Sequence, residues 1–278
     1  MPSQPAVPEI STSRWASVTK LVTALAVLVA VEEEAVGLDE PAGPPGSTVR
    51  HLLAHASGLD FEEDRVHCPP GKRRVYSNRG FEVLGALVGE KAGMPFATYL
   101  EQAVLAPLGM AGSRLEGTPA AGLVGPLDDL VRLARELFDP TVVAASTLRN
   151  ATTVAFPGLA GVLPGFGRQN PLDWGLGFEV RDAKSPHWTG GSNSPATFGH
   201  FGGSGSFLWV DPEAGLACAA LSGREFAEGF AGRPFDAVRG KCPLAPIHPR
   251  DEPLCVGKLH DLFDLVSCRH ESPSVHCG

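Results

Sequence analysis

The sequence predicts an α+β protein in which a helical region faces an antiparallel sheet. Segments with helical periodicity continue from a long apolar segment near the N-terminus to about residue 156. Beyond Phe156, glycine, aromatic and β-branched residues alternate with turn residues, which is the pattern of short strands. The 33 glycines and 25 prolines among 278 residues indicate many turns between short elements.

The first predicted element is a helix from Ser17 to about Gly37. Its apolar run Leu21–Val31 is too short to span a bilayer and ends in three glutamates without a signal-peptide cleavage site, so we expect a buried helix and no membrane span. Only Cys68 among the six cysteines falls in the first 217 residues, as in a protein of a reducing, cytoplasmic compartment. Secretion remains the alternative.

The next elements are helical. Ser47 has the position of an N-cap for a short helix, VRHLLAHA, which stops at Gly58. Residues 78 to about 108 show helical periodicity in two pieces, and Asp128–Phe138 is an amphipathic helix with acidic residues in its first turn.

Three segments are then predicted as antiparallel strands: WGLGFEV, TFGHFGGSGSFLWVD and GLACAALSG. Asp211–Gly215 is the predicted hairpin turn between the last two. From about Glu228 onward the sequence has no sustained period, and no element is predicted there.

Composition excludes one class of function. With 23 basic and 31 acidic residues the net charge is −8, so a nucleic-acid partner held through neutralised phosphates is not expected. The length allows one large domain or two modest ones, and there is no internal repeat.

Three short motifs carry residues able to do chemistry. Ser17 and Lys20 lie three residues apart, so a helix places the lysine amine near the serine hydroxyl that it could deprotonate. Tyr76 and Asn78 flank a serine just before a predicted helix, and His200 precedes Gly202 and Gly203 in a strand pattern. Taken singly, each motif is more often structural: a helix cap, a packed ring, a bulge.

In the order S-x-x-K, Y-S-N, H-F-G, the motifs resemble those of the penicillin-recognising serine hydrolases that use a tyrosine. These are serine β-lactamases, D-alanyl-D-alanine carboxypeptidases and related esterases. Similar segments run from Arg14 to about Glu225: RWASVTKLVTAL, STVRHLLAHASGLDF, PPGKRRVYSNRGFEVLG, VLAPLGM and GHFGGSGSFLWVDPEAG. The resemblance implies a serine β-lactamase-like fold.

The resemblance also implies roles for the residues of the three motifs. Ser17 would be the acylated nucleophile, Lys20 its base and Tyr76 the general acid and base. Asn78 would hold the substrate amide or Lys20, and His200 would face Tyr76 in place of the family's lysine. The main-chain N–H groups of Ser17 and Gly203, in the glycine pair with Gly202, would form the oxyanion hole.

The sequence departs from the family at both ends. Only 16 residues precede Ser17, too few for the usual N-terminal strands, so we expect a sheet of about three strands, incomplete at the N-terminus and uncovered on one face. The predicted division is a hydrolase domain over residues 1–227, with a helical part at about 38–156 and a sheet part at about 157–225, and an atypical Cys/His/Pro-rich tail over 228–278. A truncated or frame-altered chain that serves as an inactive binding or structural module is the alternative.

The predicted function is hydrolysis of a small ester, amide or β-lactam through an acyl-serine intermediate, with no cofactor or metal. The partner is a small-molecule acyl substrate; a membrane-anchored peptidase would need an export signal. Because imidazole is largely neutral near pH 7, His200 favours a neutral ester over a carboxylate-bearing β-lactam. Cys68 is a nucleophile only by its chemistry, beside His67. The tail contains side chains that could bind zinc: Cys242, Cys255, Cys268, His270, His276 and Cys277. However, the spacing of the first three cysteines matches no known zinc module.

Overall fold

The computed structural model describes residues 12–221 and the strand Leu254–Lys258. The helices are α1 (Thr19–Glu32), α2 (Val49–Leu53), α3 (Asn78–Ala92), α4 (Phe96–Leu100), α5 (Leu127–Glu136) and α6 (Ala145–Ala151). A 3₁₀ turn, Ala16–Val18, leads into α1, and one π-helical turn, Glu101–Leu105, continues α4. The strands are β1 (Ser13–Arg14), β2 (Arg114–Leu115), β3 (Leu123–Gly125), β4 (Gly161–Leu163), β5 (Gly167–Gln169), β6 (Glu179–Val180), β7 (Phe198–Phe201), β8 (Phe207–Asp211), β9 (Leu216–Leu221) and β10 (Leu254–Lys258). The α+β class is confirmed.

The main sheet has the order β10-β9-β8-β7-β6. Strands β6 to β9 are antiparallel neighbours, whereas β10 pairs with β9 in parallel, with Leu254 opposite Ala217. The expectation of about three strands is therefore wrong. The segment TFGHFGGSGSFLWVD forms two strands joined by a turn in which Gly205 has a φ of +76°, and β10 comes from the predicted tail.

Helix α1 is buried along almost its whole length, as its unbroken apolar sequence predicts. It packs beside α3, α4 and β7 within the larger apolar core. The opposite face of the sheet has its own cluster, in which Trp174 and Trp188 cover Phe207 and Cys218. Both faces of the described sheet are thus covered, contrary to the expectation for a shortened sheet.

Two smaller sheets complete the described structure: β1-β3-β2 and the hairpin β4-β5. The first one anchors the start of α1, because the N–H of Leu123 donates to the Thr19 hydroxyl at 3.0 Å and Trp15 Nε1 donates to the Gly125 carbonyl at 3.2 Å. The hydroxyl and indole contacts fix where α1 begins.

Some local predictions need correction. Helix α2 begins at Val49 with Thr48 at its N-cap, and the buried Ser47 hydroxyl has no hydrogen-bond partner among the described residues, so Ser47 is not the cap. Helix α6 was not predicted, because its seven residues are too few to show a period. The two helical pieces after Asn78 and the hairpin between β8 and β9 are confirmed. Within residues 12–221, no helix has the length and apolarity that crossing a membrane requires.

Candidate active site

Ser17 lies in the 3₁₀ turn that precedes α1. The residue before it, Ala16, has a φ of +44°, a conformation that L-residues adopt only where the surroundings hold them. The turn after β7 supplies that support, since Ser206 Oγ donates to the Trp15 carbonyl at 2.6 Å and Ser204 Oγ to the Arg14 carbonyl at 2.8 Å. The half-buried Ser17 is therefore fixed against the end of β7.

Gly202 and Gly203 lie in this β7–β8 turn, with different requirements. A Cβ on Gly202 would lie 2.4 Å from Ser206 Oγ and 2.6 Å from the Trp15 carbonyl oxygen, so only glycine lets the turn approach Ser17 so closely. A Cβ on Gly203 would meet nothing within 4 Å, which leaves the backbone at that residue open. Gly202 is therefore needed for the close approach of the Trp15 carbonyl and the Ser206 hydroxyl, whereas Gly203 is not constrained in this way.

Lys20 lies one turn into the helix from Ser17 and is fully buried. Its Nζ donates to Asn78 Oδ1 at 2.6 Å, to the Ala120 carbonyl at 3.0 Å and, more weakly, to Ser17 Oγ at 3.5 Å. It also lies 4.8 Å from the centre of the Tyr76 ring. The three acceptors match the three protons of an ammonium group.

Burial lowers the pKa of Lys20 to about 7, while the negative charge of Glu82 opposes the shift. Near neutral pH a large fraction of Lys20 is therefore the free amine. In that form the two remaining protons satisfy Asn78 and Ala120, which are the closer acceptors, and the lone pair is left for the Ser17 hydroxyl. This geometry suits a base for Ser17.

Tyr76 and Asn78 are held by the start of α3. The N-cap of α3 is Ser77, whose Oγ accepts from Gly80 N at 2.9 Å and donates to the Asp60 carbonyl at 2.6 Å. Since Ser77 caps the helix, the Asn78 amide oxygen is available to Lys20. The Phe61 carbonyl accepts from the N–H of Asn78 at 2.7 Å and fixes the loop from the other side.

The Tyr76 hydroxyl lies 3.3 Å from Nε2 of His200, a residue of β7. His200 Nδ1 is 2.6 Å from the Phe201 carbonyl, which can only accept, so Nδ1 carries the ring proton. Burial, with the Lys20 charge adding to it, lowers the pKa of His200 to about 3. The imidazole is therefore neutral and Tyr76 donates to Nε2.

Burial raises the pKa of Tyr76, and hydrogen bonding with Ser17 only partly opposes the shift. The phenol is thus protonated at neutral pH and can give up a proton to a stronger base. The structure brings together Ser17, Lys20, Tyr76, Asn78 and His200 in one connected set, with Gly202 and Gly203 at its border.

Two contributors to this set were missed by sequence reasoning. The Ala120 carbonyl is a main-chain group in a loop, and no residue type signals it. His55 lies inside the segment STVRHLLAHASGLDF and contacts the Tyr76 ring, with 4.5 Å between ring centres. The available signal was a second histidine in the predicted helix VRHLLAHA, four residues after His51.

Other sequence candidates lie elsewhere. His67 pairs with Asp60 at 2.5 Å, so it is not a base for the partly buried Cys68. In residues 12–221, no group of three or more His, Cys, Asp or Glu side chains is arranged to hold a metal ion. Of the possible zinc ligands in the tail, Cys255 lies in β10, and the others lie outside the described residues: Cys242, Cys268, His270, His276 and Cys277.

An α+β fold with a serine, a buried lysine and a tyrosine–histidine pair in one connected set matches the class that the three motifs predict. Comparison with known proteins confirms it. The chain belongs to the beta-lactamase family, whose profile matches residues 3–240.

Similar proteins of known structure and curated relatives agree with this assignment. A beta-lactamase from Mycobacterium bovis is 56% identical, with a TM-score of 0.72, over 73% of this chain and 76% of that one. Penicillin-binding protein 4* of Bacillus subtilis is 25% identical over 36% of this chain. The D-alanyl-D-alanine-carboxypeptidase/endopeptidase AmpH of Escherichia coli is 24% identical over 39% of this chain. The matches span only 30% and 38% of those two curated relatives.

Proposed function

We propose that this protein is a serine hydrolase that cleaves small neutral esters through an acyl-Ser17 intermediate. The observation that carries the proposal is the buried Lys20 amine, which is shared among Ser17, Asn78 and Ala120 and has a pKa of about 7. A lysine with these contacts can take a proton from Ser17 at neutral pH, whereas an exposed lysine remains charged.

In the first half of the reaction, Ser17 Oγ attacks the ester carbonyl and its proton passes to Lys20. The main-chain N–H groups of Ser17 and Gly203 are assigned to hold the oxyanion, a contribution typically worth about 100-fold or more for each donor. The C–O bond of the leaving alcohol then breaks as Tyr76 gives it a proton, and Lys20 returns a proton to Tyr76. The alcohol leaves and acyl-Ser17 remains.

In the second half, a water molecule attacks the acyl carbon. Tyr76 takes one proton from the water as it passes its own proton to the free amine of Lys20. The bond from the acyl carbon to Ser17 Oγ then breaks, and Ser17 Oγ takes that proton from Lys20. One ester and one water become one acid and one alcohol. Asn78 keeps the Lys20 amine in place throughout, since their contact is the shortest that Nζ makes.

The substrate preference is assigned to His200. Since this imidazole is neutral, it offers no positive charge to a substrate carboxylate, and Lys20 is half neutral and occupied by its own acceptors. A neutral ester avoids the cost of burying an unpaired carboxylate at this site. Amides and carboxylate-bearing β-lactams are expected to be poorer substrates.

The test is the steady-state hydrolysis of a short-chain aryl ester and of a cephalosporin by wild type and Ser17→Ala. We expect ester turnover that Ser17→Ala abolishes without a change in melting temperature, and slower cephalosporin turnover. Faster cephalosporin hydrolysis would contradict the preference. Equal rates for wild type and Ser17→Ala would contradict the activity itself and favour a binding or structural module.

A further inference from the structure

His55 is a buried histidine with no place in the proposed reaction. It follows α2, is 1% exposed, and has a φ of +53°, which is rare for a residue other than glycine. Such a conformation persists only where several contacts fix it, and these strained residues are concentrated near functional sites. Several of the contacts that fix His55 involve Tyr76 or its neighbours in the chain.

Two hydrogen bonds connect His55 to the residues on either side of Tyr76. Its carbonyl accepts from the N–H of Val75 at 2.9 Å, and its ring Nδ1 accepts from the N–H of Ser77 at 3.1 Å. One residue therefore holds the backbone on both sides of Tyr76, through the Arg74–Val75 peptide group before it and the Tyr76–Ser77 peptide group after it.

The imidazole also supports the phenol directly. Its ring centre lies 4.5 Å from that of Tyr76 and 5.3 Å from that of Phe81, while Trp174 packs edge-on at 4.8 Å. Because Nδ1 accepts a hydrogen bond from a peptide N–H, the ring proton is on Nε2, which is buried and has no hydrogen-bond partner among the described residues. Burial lowers the pKa of His55 well below its usual value, and the positive charges of Lys20 and Arg74 act in the same direction.

Burying an N–H group without a hydrogen-bond partner costs free energy, and an apolar residue would fill the same space without that cost. What an apolar residue lacks is the acceptor at Nδ1. We propose that His55 is a positioning residue for Tyr76: it fixes the backbone on both sides of the tyrosine, at Val75 and Ser77, and packs on its ring, so that the hydroxyl stays within reach of His200 and Ser17. The proposal depends on the proposed function only in giving Tyr76 a catalytic role.

The chain offers a direct observation of Tyr76, because it contains only two tyrosines. Protein labelled with ¹³C at the tyrosine ζ carbon gives one signal for each, and Tyr99→Phe identifies which is Tyr76. The test compares His55→Leu, which removes the acceptor, with His55→Asn, whose side-chain oxygen can replace Nδ1. His51→Leu is the matched control, since His51 lies one helical turn earlier and stacks on Phe156 instead, at 4.4 Å.

We expect His55→Leu to move or split the Tyr76 signal, leave the Tyr99 signal in place, and lower kcat for the ester by about 10- to 100-fold with a much smaller change in KM, as for a displaced catalytic group. His55→Asn should restore part of both. His51→Leu should change neither. A folded His55→Leu protein with the wild-type Tyr76 signal and kcat would overturn the proposal.

The two proposals can fail separately. If His55→Leu does not fold, His55→Phe, which keeps a ring against Tyr76 but removes the acceptor, decides by the same signal: an unchanged Tyr76 resonance would contradict the role, and a displaced one would support it. If wild type hydrolyses no ester, the proposed function fails, while the Tyr76 signal still shows whether His55 positions the phenol.

Discussion

Replacement of Asn78 by aspartate tests the assignment of Lys20 as the base. The change keeps the shape of the side chain and places a carboxylate where the amide oxygen now accepts from Lys20 Nζ at 2.6 Å. Because residue 78 is the first of α3, an acidic side chain there also agrees with the helix dipole. The fold should therefore tolerate it.

The magnitude follows from the contact distance. Opposite charges 2.6 Å apart attract by about 6 kcal/mol at an effective dielectric constant of about 20. Much of this is offset because the new carboxylate loses hydration. A net rise of about 1–3 units in the Lys20 pKa remains, as is typical for an adjacent opposite charge. Starting from a pKa of about 7, the free-amine fraction at neutral pH falls about 5- to 500-fold.

The assay is kcat/KM for a neutral aryl ester between about pH 5 and pH 10, since this ratio reports the ionisation of the free enzyme. Wild type should gain activity as pH rises through about 7, and Asn78→Asp should show the same rise at a more alkaline pH. Asn78→Ala is the control. It removes an acceptor from the ammonium form of Lys20, so the rise of kcat/KM with pH (the acidic limb of the profile) should not move to higher pH in this variant. If Asn78→Asp leaves the limb at the wild-type pH, Lys20 is not the titrating base.

Three further predictions concern stability. Gly202→Ala should destabilise the fold by about 1–3 kcal/mol through overpacking against Ser206 and Trp15, whereas Gly203→Ala should melt like wild type. Arg74→Met should cost about 3 kcal/mol or more, because the buried guanidinium donates to the carbonyls of Ala54 and Leu172, both at 2.5 Å, and to that of Ala155. Arg73→Met, at the exposed neighbouring residue, should change the free energy of unfolding by no more than about 0.5 kcal/mol; equal effects at the two arginines would refute the assignment. Burial alone would raise the pKa of Glu179, but His187 and Lys184 outweigh it and lower the pKa to about 2. The ionised Glu179 therefore stabilises the fold at pH values above 4.5, the usual pKa of a glutamate, and this stabilisation is lost as the pH falls through about 2. The difference in melting temperature between wild type and Glu179→Gln should accordingly narrow as the pH falls over that range. A gap that widens on acidification would contradict this assignment.

Features of the fold and site could be predicted where the sequence pattern that determines them lies within one helix or strand. The buried α1 follows from an unbroken apolar run, and the proximity of Ser17 to Lys20 follows from helical spacing. The pairing of Tyr76 with His200 joins residues 124 positions apart. No periodicity carries that information, and only the resemblance to the serine hydrolases pointed to it.

The rest depended on tertiary contacts. The sequence pointed to Tyr76 and Asn78 as candidate site residues but not to Ser77 as the helix cap. Ser77 is the cap because its hydroxyl reaches both the Gly80 N–H and the Asp60 carbonyl. The support from His55 depends on a positive φ and on a loop returning from residue 75, and the Ala120 carbonyl is a main-chain group. The turn between β7 and β8 was missed because Gly202 and Gly205 lie inside what reads as one strand.

The central claim is that Lys20 and its neighbours make Ser17 a nucleophile. The most direct test is the intact mass of the protein after exposure to a reactive fluorophosphonate and, separately, to a penicillin, with Ser17→Ala as control. We expect one fluorophosphonate adduct per chain in wild type, none in Ser17→Ala, and less adduct with the penicillin. Folded wild-type protein that gains no adduct, or gains it equally in Ser17→Ala, would contradict the claim.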